Sequence, residues 1–330
     1  MNTKRNTKEQ KNTPQDNGLN IAFFGTSDRP RPILETLHKN FNLELCVTKT
    51  DRIVGRHQEK KETLVKSWAK NRKIDIFEIE NIKKSGNDLL KVLGKKNIDL
   101  IIVADFGFII PSRIIKKYKD KIINIHFSLL PKYRGANPIQ AAIINGDEKT
   151  GITYFLMRKG MDTGPILAQI PYDLTGDETT GILYEQLFEL AAQNLPKVIR
   201  DYTGGQITPR EQDYGKATYY YSPSHPKSTY IYKEDAKIIW NESIEQIERK
   251  IRAFNPWPIA WTTLGELTQN QKVYLSDSDE AFDLREGVDK DLRIKIYSAE
   301  IKNGKLLPKE VQVAGKDKAS WGDFRNGYTV

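Results

Sequence analysis

Short apolar runs alternate with amphipathic segments through the first two-thirds of the chain, the rhythm of strand-helix-strand units. The first run begins at Asn20, turns at Gly25 and Thr26, and leads into a helix expected over 32–37. Further strands are expected over 43–47, 74–77, up to Ala104, 121–125, 151–157 and 165–172. Helices are expected over 63–70, 88–93, 112–118, from about 136 to 145, and 179–201. Apolar strands of this kind, separated by helices, imply an α/β fold: a Rossmann-like, doubly wound, mostly parallel sheet with right-handed crossovers. The turn after the first strand has no G-x-G-x-x-G pattern, so a dinucleotide fingerprint is absent. The segment 48–62 is charged, interrupted by Gly55 and without periodicity, and reads as a long exposed loop.

The rhythm breaks after residue 201. Residues 202–232 contain Gly204, Gly205, Pro209, Pro223 and Pro226 and read as a linker. Its Tyr219, Tyr220 and Tyr221 offer either a stacking surface for bases or anchors that pin an extended segment, the second being the commoner use of clustered tyrosines. A helix capped at Asn241 or Ser243 follows, with Ile244, Ile247, Ile251 and Phe254 on one face and Pro256 ending it. Beyond Ala260, short alternating segments predict a C-terminal antiparallel module, a small OB-like β-barrel. The expected organisation is therefore a disordered tail over 1–19, a catalytic domain over 20–201, a linker over 202–232 and a C-terminal domain over 233–330.

Within the strand over 121–125 and its exit, the polar residues Asn124 and His126 stand two apart, so alternation sends both to one face at the carboxyl end of a strand, where open α/β sheets bind ligands. A lone histidine on an apolar strand is ordinarily a hydrogen-bonded structural residue. Here a Gly-bracketed carboxylate, Asp162 in Gly160-Met161-Asp162-Thr163-Gly164, follows the next apolar run and supplies a third polar group at a strand end. Asn124, His126, Ser128, Leu129, Leu130, Pro131, Arg134, Gly135 and Gln140, with the GMDTG turn, resemble the signature of the folate-dependent formyltransferases. Arg252 to Pro258, reading RAFNPWP, and the ending around Glu310 to Gln312, Trp321, Phe324 and Tyr328 are similar to the methionyl-tRNA branch of that family. Sugar-nucleotide formyltransferases share SLLPKYRG and remain the alternative; hydrolases of formyltetrahydrofolate share part of it.

The resemblance implies an enzyme that moves the formyl group of 10-formyltetrahydrofolate, a co-substrate, to the amino group of initiator methionyl-tRNA for translation initiation, without a metal. It implies catalytic roles for Asn124, His126 and Asp162. It places folate against Ser128, Leu129, Leu130 and Pro131 and the backbone around Phe106, Gly107, Phe108 and Ile109. It assigns tRNA contacts to Arg52, Arg56, Lys60 and Lys61 in the basic loop, with Arg56 foremost. The chain departs from the family pattern at Ser27-Asp28-Arg29 after the first turn, and at Thr50, Ile53 and His57-Gln58-Glu59 in the loop. The chemistry suits the residues. Transfer from a folate nitrogen to an amine needs a donor to the developing oxyanion and a group that moves protons, tasks open to an Asn amide and to a His beside an Asp. Arg134 either binds a substrate anion or braces its loop.

Composition narrows the setting. With 330 residues, 38% hydrophobic and 10% aromatic, the chain has material for two cores. A net charge of +9 fits an anionic partner such as nucleic acid, and equally a soluble Lys-rich surface. Lys272, Arg293, Lys295, Lys302 and Lys305 partly alternate with apolar strand residues, as on a face that tracks a tRNA backbone. The single cysteine, Cys46, forms no intramolecular disulfide. Residues 1–19 lack the apolar core of a signal peptide, and no apolar stretch approaches the ~20 residues of a membrane helix. A cytoplasmic monomer is expected.

Overall fold

The computed structural model describes residues 18–54, 59–273 and 283–329. The tail expected over 1–19 thus lies almost wholly outside the described residues. The chain forms two compact units, one running through Ile122 with Leu195–Lys197 added, the other comprising Ile123–Asn194 and the chain from Val198 onward.

The first unit opens with β1 (Asn20–Phe24), whose Ile21, Ala22, Phe23 and Phe24 are fully buried. There follow α1 (Arg31–Asn40), started by proline, β2 (Asn42–Lys49), the short strands β3 (Arg52–Val54) and β4 (Glu59–Lys61), and α2 (Leu64–Asn71). Then come β5 (Asp75–Ile79), α3 (Ile82–Lys95), β6 (Leu100–Ala104) and α4 (Ser112–Lys117). Strands β5, β2, β1 and β6 pair in that order, all parallel. Their near-continuous apolar sequences suit strands covered on both faces by helices.

Two elements here differ from the pattern reading. Helix α3 extends well beyond 88–93: Gly86 breaks the apolar period, yet a Cβ there would fall 2.3 Å from the Arg113 guanidinium, whose Nη2 donates to the Lys83 carbonyl (2.7 Å). The gap in the pattern is a seat for another helix's arginine. The segment 48–62 is not one exposed loop. Thr48 is buried inside β2 and its hydroxyl hydrogen-bonds Thr63 (3.0 Å), while Lys66 holds the Asp51 carboxylate (2.8 Å) and that of Glu78 (2.9 Å). Strands β3 and β4 then form an antiparallel hairpin with residues 52 and 61 opposite one another. Three-residue strands of mixed charge carry too little alternation to be read in advance.

The second unit contains β7 (Ile122–His126) from Ile123 onward, α5 (Pro138–Asn145), β8 (Lys149–Leu156), β9 (Ile166–Asp173) and all of α6 (Thr180–Thr203) but Leu195–Lys197. Strands β7, β8 and β9 pair antiparallel; the short link between β8 and β9 allows a hairpin and excludes a parallel crossover. Among the described residues β1, β2 and β5 to β9 make a mostly parallel, Rossmann-like sheet of seven strands. The Tyr154 hydroxyl donates to the Ala191 carbonyl (2.6 Å), fixing α6 on β8.

Beyond α6 lie α7 (Ile244–Ala253), β10 (Ala260–Thr263), α8 (Leu264–Thr268), β11 (Arg293–Lys302), β12 (Lys305–Val313), β13 (Ala319–Ser320) and α9 (Trp321–Tyr328). Ser243, one of the two expected caps, starts α7 with a reciprocal capping box to Gln246. Strands β10 to β13 form a four-stranded antiparallel sheet whose inner residues, among them Ile294, Ile296 and Val311, pack with Ile247, Ile251 and Phe324.

The intervening stretch 204–243 is extended but not loose. Thr218 exchanges backbone hydrogen bonds with Arg134 and Pro131 (2.9 and 3.1 Å), and Tyr220 packs against Tyr133 and Ala142, burial pushing its hydroxyl up to about 12. Tyr220 thus pins the segment, while Tyr219 and the exposed Tyr221 stack on one another. Asp235 fastens its far end. Desolvation would raise its carboxyl, but hydrogen bonds from the Ser224 side chain, the Tyr232 and Ser224 N–H groups and the Ser222 hydroxyl outweigh that and hold it below the ordinary carboxylate value. A depressed folded value means stability that is present above the unfolded value and lost as pH falls through the folded one. Asp235→Asn should therefore lower Tm most at neutral pH and progressively less on acidification. A thermal unfolding series with the same deficit at every pH would contradict this.

Candidate functional site

Strand β7 delivers its alternate polar residues as its pattern requires. Asn124 lies opposite Phe155 and His126 opposite Thr153 on β8. Asn124 is half-buried, and among the described residues its amide has no hydrogen-bond partner. His126 is buried, with its ring edge-on to Phe155. Its Nε2 lies 2.9 Å from the Tyr133 carbonyl oxygen. A carbonyl only accepts, so Nε2 carries the proton and Nδ1 is the bare nitrogen of the neutral ring. Nδ1 faces Asp162, 3.8 Å from Oδ2. The sequence-predicted trio is thus half assembled by direct geometry, with His126 and Asp162 as a pair and Asn124 on the same strand face.

Asp162 adopts φ +53°, an uncommon conformation for a residue with a side chain, and its Oδ2 accepts the Gly135 N–H (2.8 Å). Gly135 itself has φ +110°, and a Cβ there would press within 2.8 Å of Thr229. The loop carrying Ser128 to Gly135 is fastened from beneath: the Thr153 hydroxyl donates to the Ser128 carbonyl (2.6 Å) and accepts the Leu130 N–H (3.0 Å), and Gln169 donates to the Leu130 carbonyl (2.9 Å). Arg134, left open between two roles by its sequence, is 3% exposed and braces the loop. Its Nε and Nη2 both donate to Gln212 Oε1 (3.1 and 2.7 Å), and its guanidinium lies over the Tyr214 ring.

Gln212 is the residue that sequence reading missed. It lies in the stretch read as a linker, without periodicity or motif, and its Nε2 also donates to the carbonyls of Asp162 (2.8 Å) and Gly164 (2.7 Å).

The remaining expected contacts are placed as follows. Ser128 is buried with its hydroxyl donating to the Lys132 carbonyl, and Leu130 packs with Phe155 and Ile166, so both side chains are turned into the unit. Leu129 and Pro131 are half-buried. In the first unit Phe106 packs edgewise with Phe108 and tilted against Phe24, the Gly107 N–H donates to the Thr26 hydroxyl (2.8 Å), and Ile109 is 87% exposed. Arg56 lies outside the described residues. Positions 52 and 60 fall on the hairpin strands, and Lys61 is exposed with a long 3.9 Å approach to Asp28. In the C-terminal sheet, Lys272 is not available to a partner as expected: its ammonium donates to the carbonyls of Trp240 and Glu242 (2.7 and 2.6 Å). Arg293 lies over the Trp261 ring at 4.0 Å, and Lys295 is exposed.

The GMDTG turn has no room to spare. A Cβ on Gly164 would fall 1.7 Å from the Leu156 carbonyl oxygen, whereas one on Gly94 in α3 would meet nothing within 4 Å. Gly164→Ala should lower Tm and displace the Asp162 turn, while Gly94→Ala should stabilise by about 0.5–1 kcal/mol. Equal Tm shifts for the two variants would contradict the packing described.

Comparison with known proteins gives the family of the chain. The formyl transferase family matches residues 19–199, and the formyl transferase C-terminal domain matches residues 230–329. Methionyl-tRNA formyltransferase of Legionella pneumophila subsp. pneumophila is 36% identical over 76% of this chain and 77% of its own length. That of Caldicellulosiruptor saccharolyticus is 33% identical over 94% of this chain and 98% of its own. In fold, a sugar 3N-formyl transferase solved with dTDP and 5-N-formyl-THF superposes with a TM-score of 0.54 at 18% identity, over 91% of this chain and 99% of that one. The strand-end polar residues, the GMDTG turn and both matched domains place this chain in the formyl transferase family.

Proposed function

We propose that this protein transfers the formyl group of 10-formyltetrahydrofolate to the α-amino group of initiator methionyl-tRNA, giving the formylmethionyl-tRNA used to start translation. The observation that carries this reading is the His126–Asp162 pair on the strand face that also presents the uncommitted Asn124 amide, in a chain one-third identical to a methionyl-tRNA formyltransferase along nearly its whole length.

Each residue has a task. The Asn124 amide N–H groups, without a partner among the described residues, donate to the formyl oxygen as it gathers negative charge; one preorganised donor of this kind lowers a barrier by roughly 3 kcal/mol. His126 accepts at Nδ1 the proton that the amine sheds as its new C–N bond forms and passes it to the folate nitrogen as the old C–N bond breaks, because Nε2 is held by Tyr133, and the Asp162 carboxylate stabilises the imidazolium in between. The ring keeps its orientation throughout, since Tyr133 does not let go. The attacking amine needs little help: an α-amino group titrates at about 7.7–8.0, so a substantial fraction is neutral at neutral pH.

For the folate we propose the apolar surfaces of Leu129 and Pro131, with Ser128 and Leu130 shaping the loop from inside, together with Phe106, Gly107, Phe108 and Ile109. Apolar walls with a few backbone polar groups suit a flat heterocycle. For the tRNA we propose Arg52, Arg56, Lys60 and Lys61, aided by the C-terminal domain over 233–330 through Arg293 and Lys295. Contacts of this kind neutralise phosphates, and each one lost should flatten the salt dependence of binding by about 0.7–0.9 in logarithmic slope. The catalytic domain over 20–201 and the connecting 202–232 complete the proposed organisation.

The test is an acceptor comparison. Incubated with donor labelled in the formyl group, the protein should label methionyl-tRNA and leave amino sugar nucleotides unlabelled. Label confined to the sugar nucleotide would replace the proposed acceptor. In the same assay Arg56→Ala should raise the KM for methionyl-tRNA at physiological salt and leave donor affinity alone; the reverse outcome would assign that residue to the folate.

A further inference from the structure

Gln212 lies between the two matched family stretches, on a segment whose composition suggests only a connection. Yet it is 5% exposed, and its amide is fully used. Both N–H bonds of Nε2 go to carbonyls on either side of Thr163, and Oε1 accepts twice from Arg134. A buried amide satisfied in this way is a rigid joint between the elements that supply its partners.

Those elements are the two loops that meet at Asp162. Its carboxylate accepts the Gly135 N–H, Gly135 follows Arg134 in the chain, Arg134 binds Gln212 Oε1, and Gln212 Nε2 returns to the Asp162 carbonyl. The hydrogen bonds close a ring around one residue held at φ +53°. Gln212 is itself anchored. Arg210 and Ile166 exchange backbone hydrogen bonds (2.7 and 2.9 Å), and the Tyr214 hydroxyl donates to the Thr163 carbonyl (3.1 Å). We infer that Gln212 is a positioning residue for the formyl transfer, setting the Asp162 carboxylate against His126 through both its backbone carbonyl and the loop that supplies the Gly135 N–H. The kinetic part of this inference rests on the proposed function; the geometric part does not.

The experiment is a mutant cycle read in two ways. Gln212→Leu removes all four hydrogen bonds; Gln212→Glu keeps the length and the acceptor for Arg134 but cannot donate to two carbonyls. Either variant should lose about 10²-fold in kcat, as expected for a misplaced catalytic group, while KM for 10-formyltetrahydrofolate stays within about twofold. In an Asp162→Asn background, Gln212→Leu should add less than about threefold, because the two act through the same carboxylate. In the free protein, with no substrate present, Gln212→Leu should also move the His126 ring signals in nitrogen NMR, and it should do so even if the acceptor is not methionyl-tRNA. Full turnover in either single variant, a full second loss in the double variant, or unmoved His126 signals would overturn the inference. So would loss of donor binding in both variants, which would make Gln212 a residue of folding alone.

Discussion

A single backbone N–H, that of Gly135, decides where the Asp162 carboxylate points. It reaches Oδ2 because Gly135 has no side chain and a positive φ; a Cβ would press on Thr229. From that contact the site follows in both directions. Toward the strand, Oδ2 faces Nδ1 of a histidine whose other nitrogen is tied to Tyr133, so the pair has one orientation and one open proton position. Toward the rest of the unit, the carbonyl of the same aspartate, Gln212 and Arg134 return the chain of hydrogen bonds to the loop where it began. Buried polar rings of this kind contribute to uniqueness of geometry more than to net stability, since every member is costly if left unpaired.

Arg134 illustrates how a strongly charged residue in a signature motif can serve structure. Its guanidinium makes two hydrogen bonds to one amide oxygen and covers a tyrosine face, which leaves it inside the unit. The anion-binding role it shares with arginines at many sites is thereby given up. Asn124 is the opposite case: a half-buried amide on a strand face whose donors have no partner among the described residues. One residue is committed to holding the loop and the other is available to a substrate. That division fits a site in which the charge that develops during reaction is met by a neutral, prealigned donor.

Much of this was legible in the sequence because alternation is a strong signal. Asn124 and His126, two apart at the end of an apolar run, were bound to share a face, and the glycines around Asp162 marked a turn at the next strand's end. Strand β1 and helix α6 were equally plain. What escaped reading has physical reasons. Gln212 is one polar residue in an aperiodic stretch, and only the three-dimensional closure of its amide gives it meaning. Gly86 interrupts the apolar period of α3, which hid the helix's first turns, and is a seat for Arg113. The hairpin of β3 and β4 pairs strands too short and too charged to show a period, and the inward turn of Ser128 and Leu130 depends on hydrogen bonds from Thr153 and Gln169, far along the chain.

The central claim is that the Asn124 amide stabilises the oxyanion of formyl transfer while the His126–Asp162 pair handles the proton. The most direct measurement is the single-turnover rate of formyl transfer to methionyl-tRNA by Asn124→Ala, with both substrates saturating and donor affinity measured on the same preparation. The account predicts a fall of about 10² to 10³ in that rate at nearly unchanged donor affinity. An unchanged rate, or a loss confined to donor binding, would contradict it.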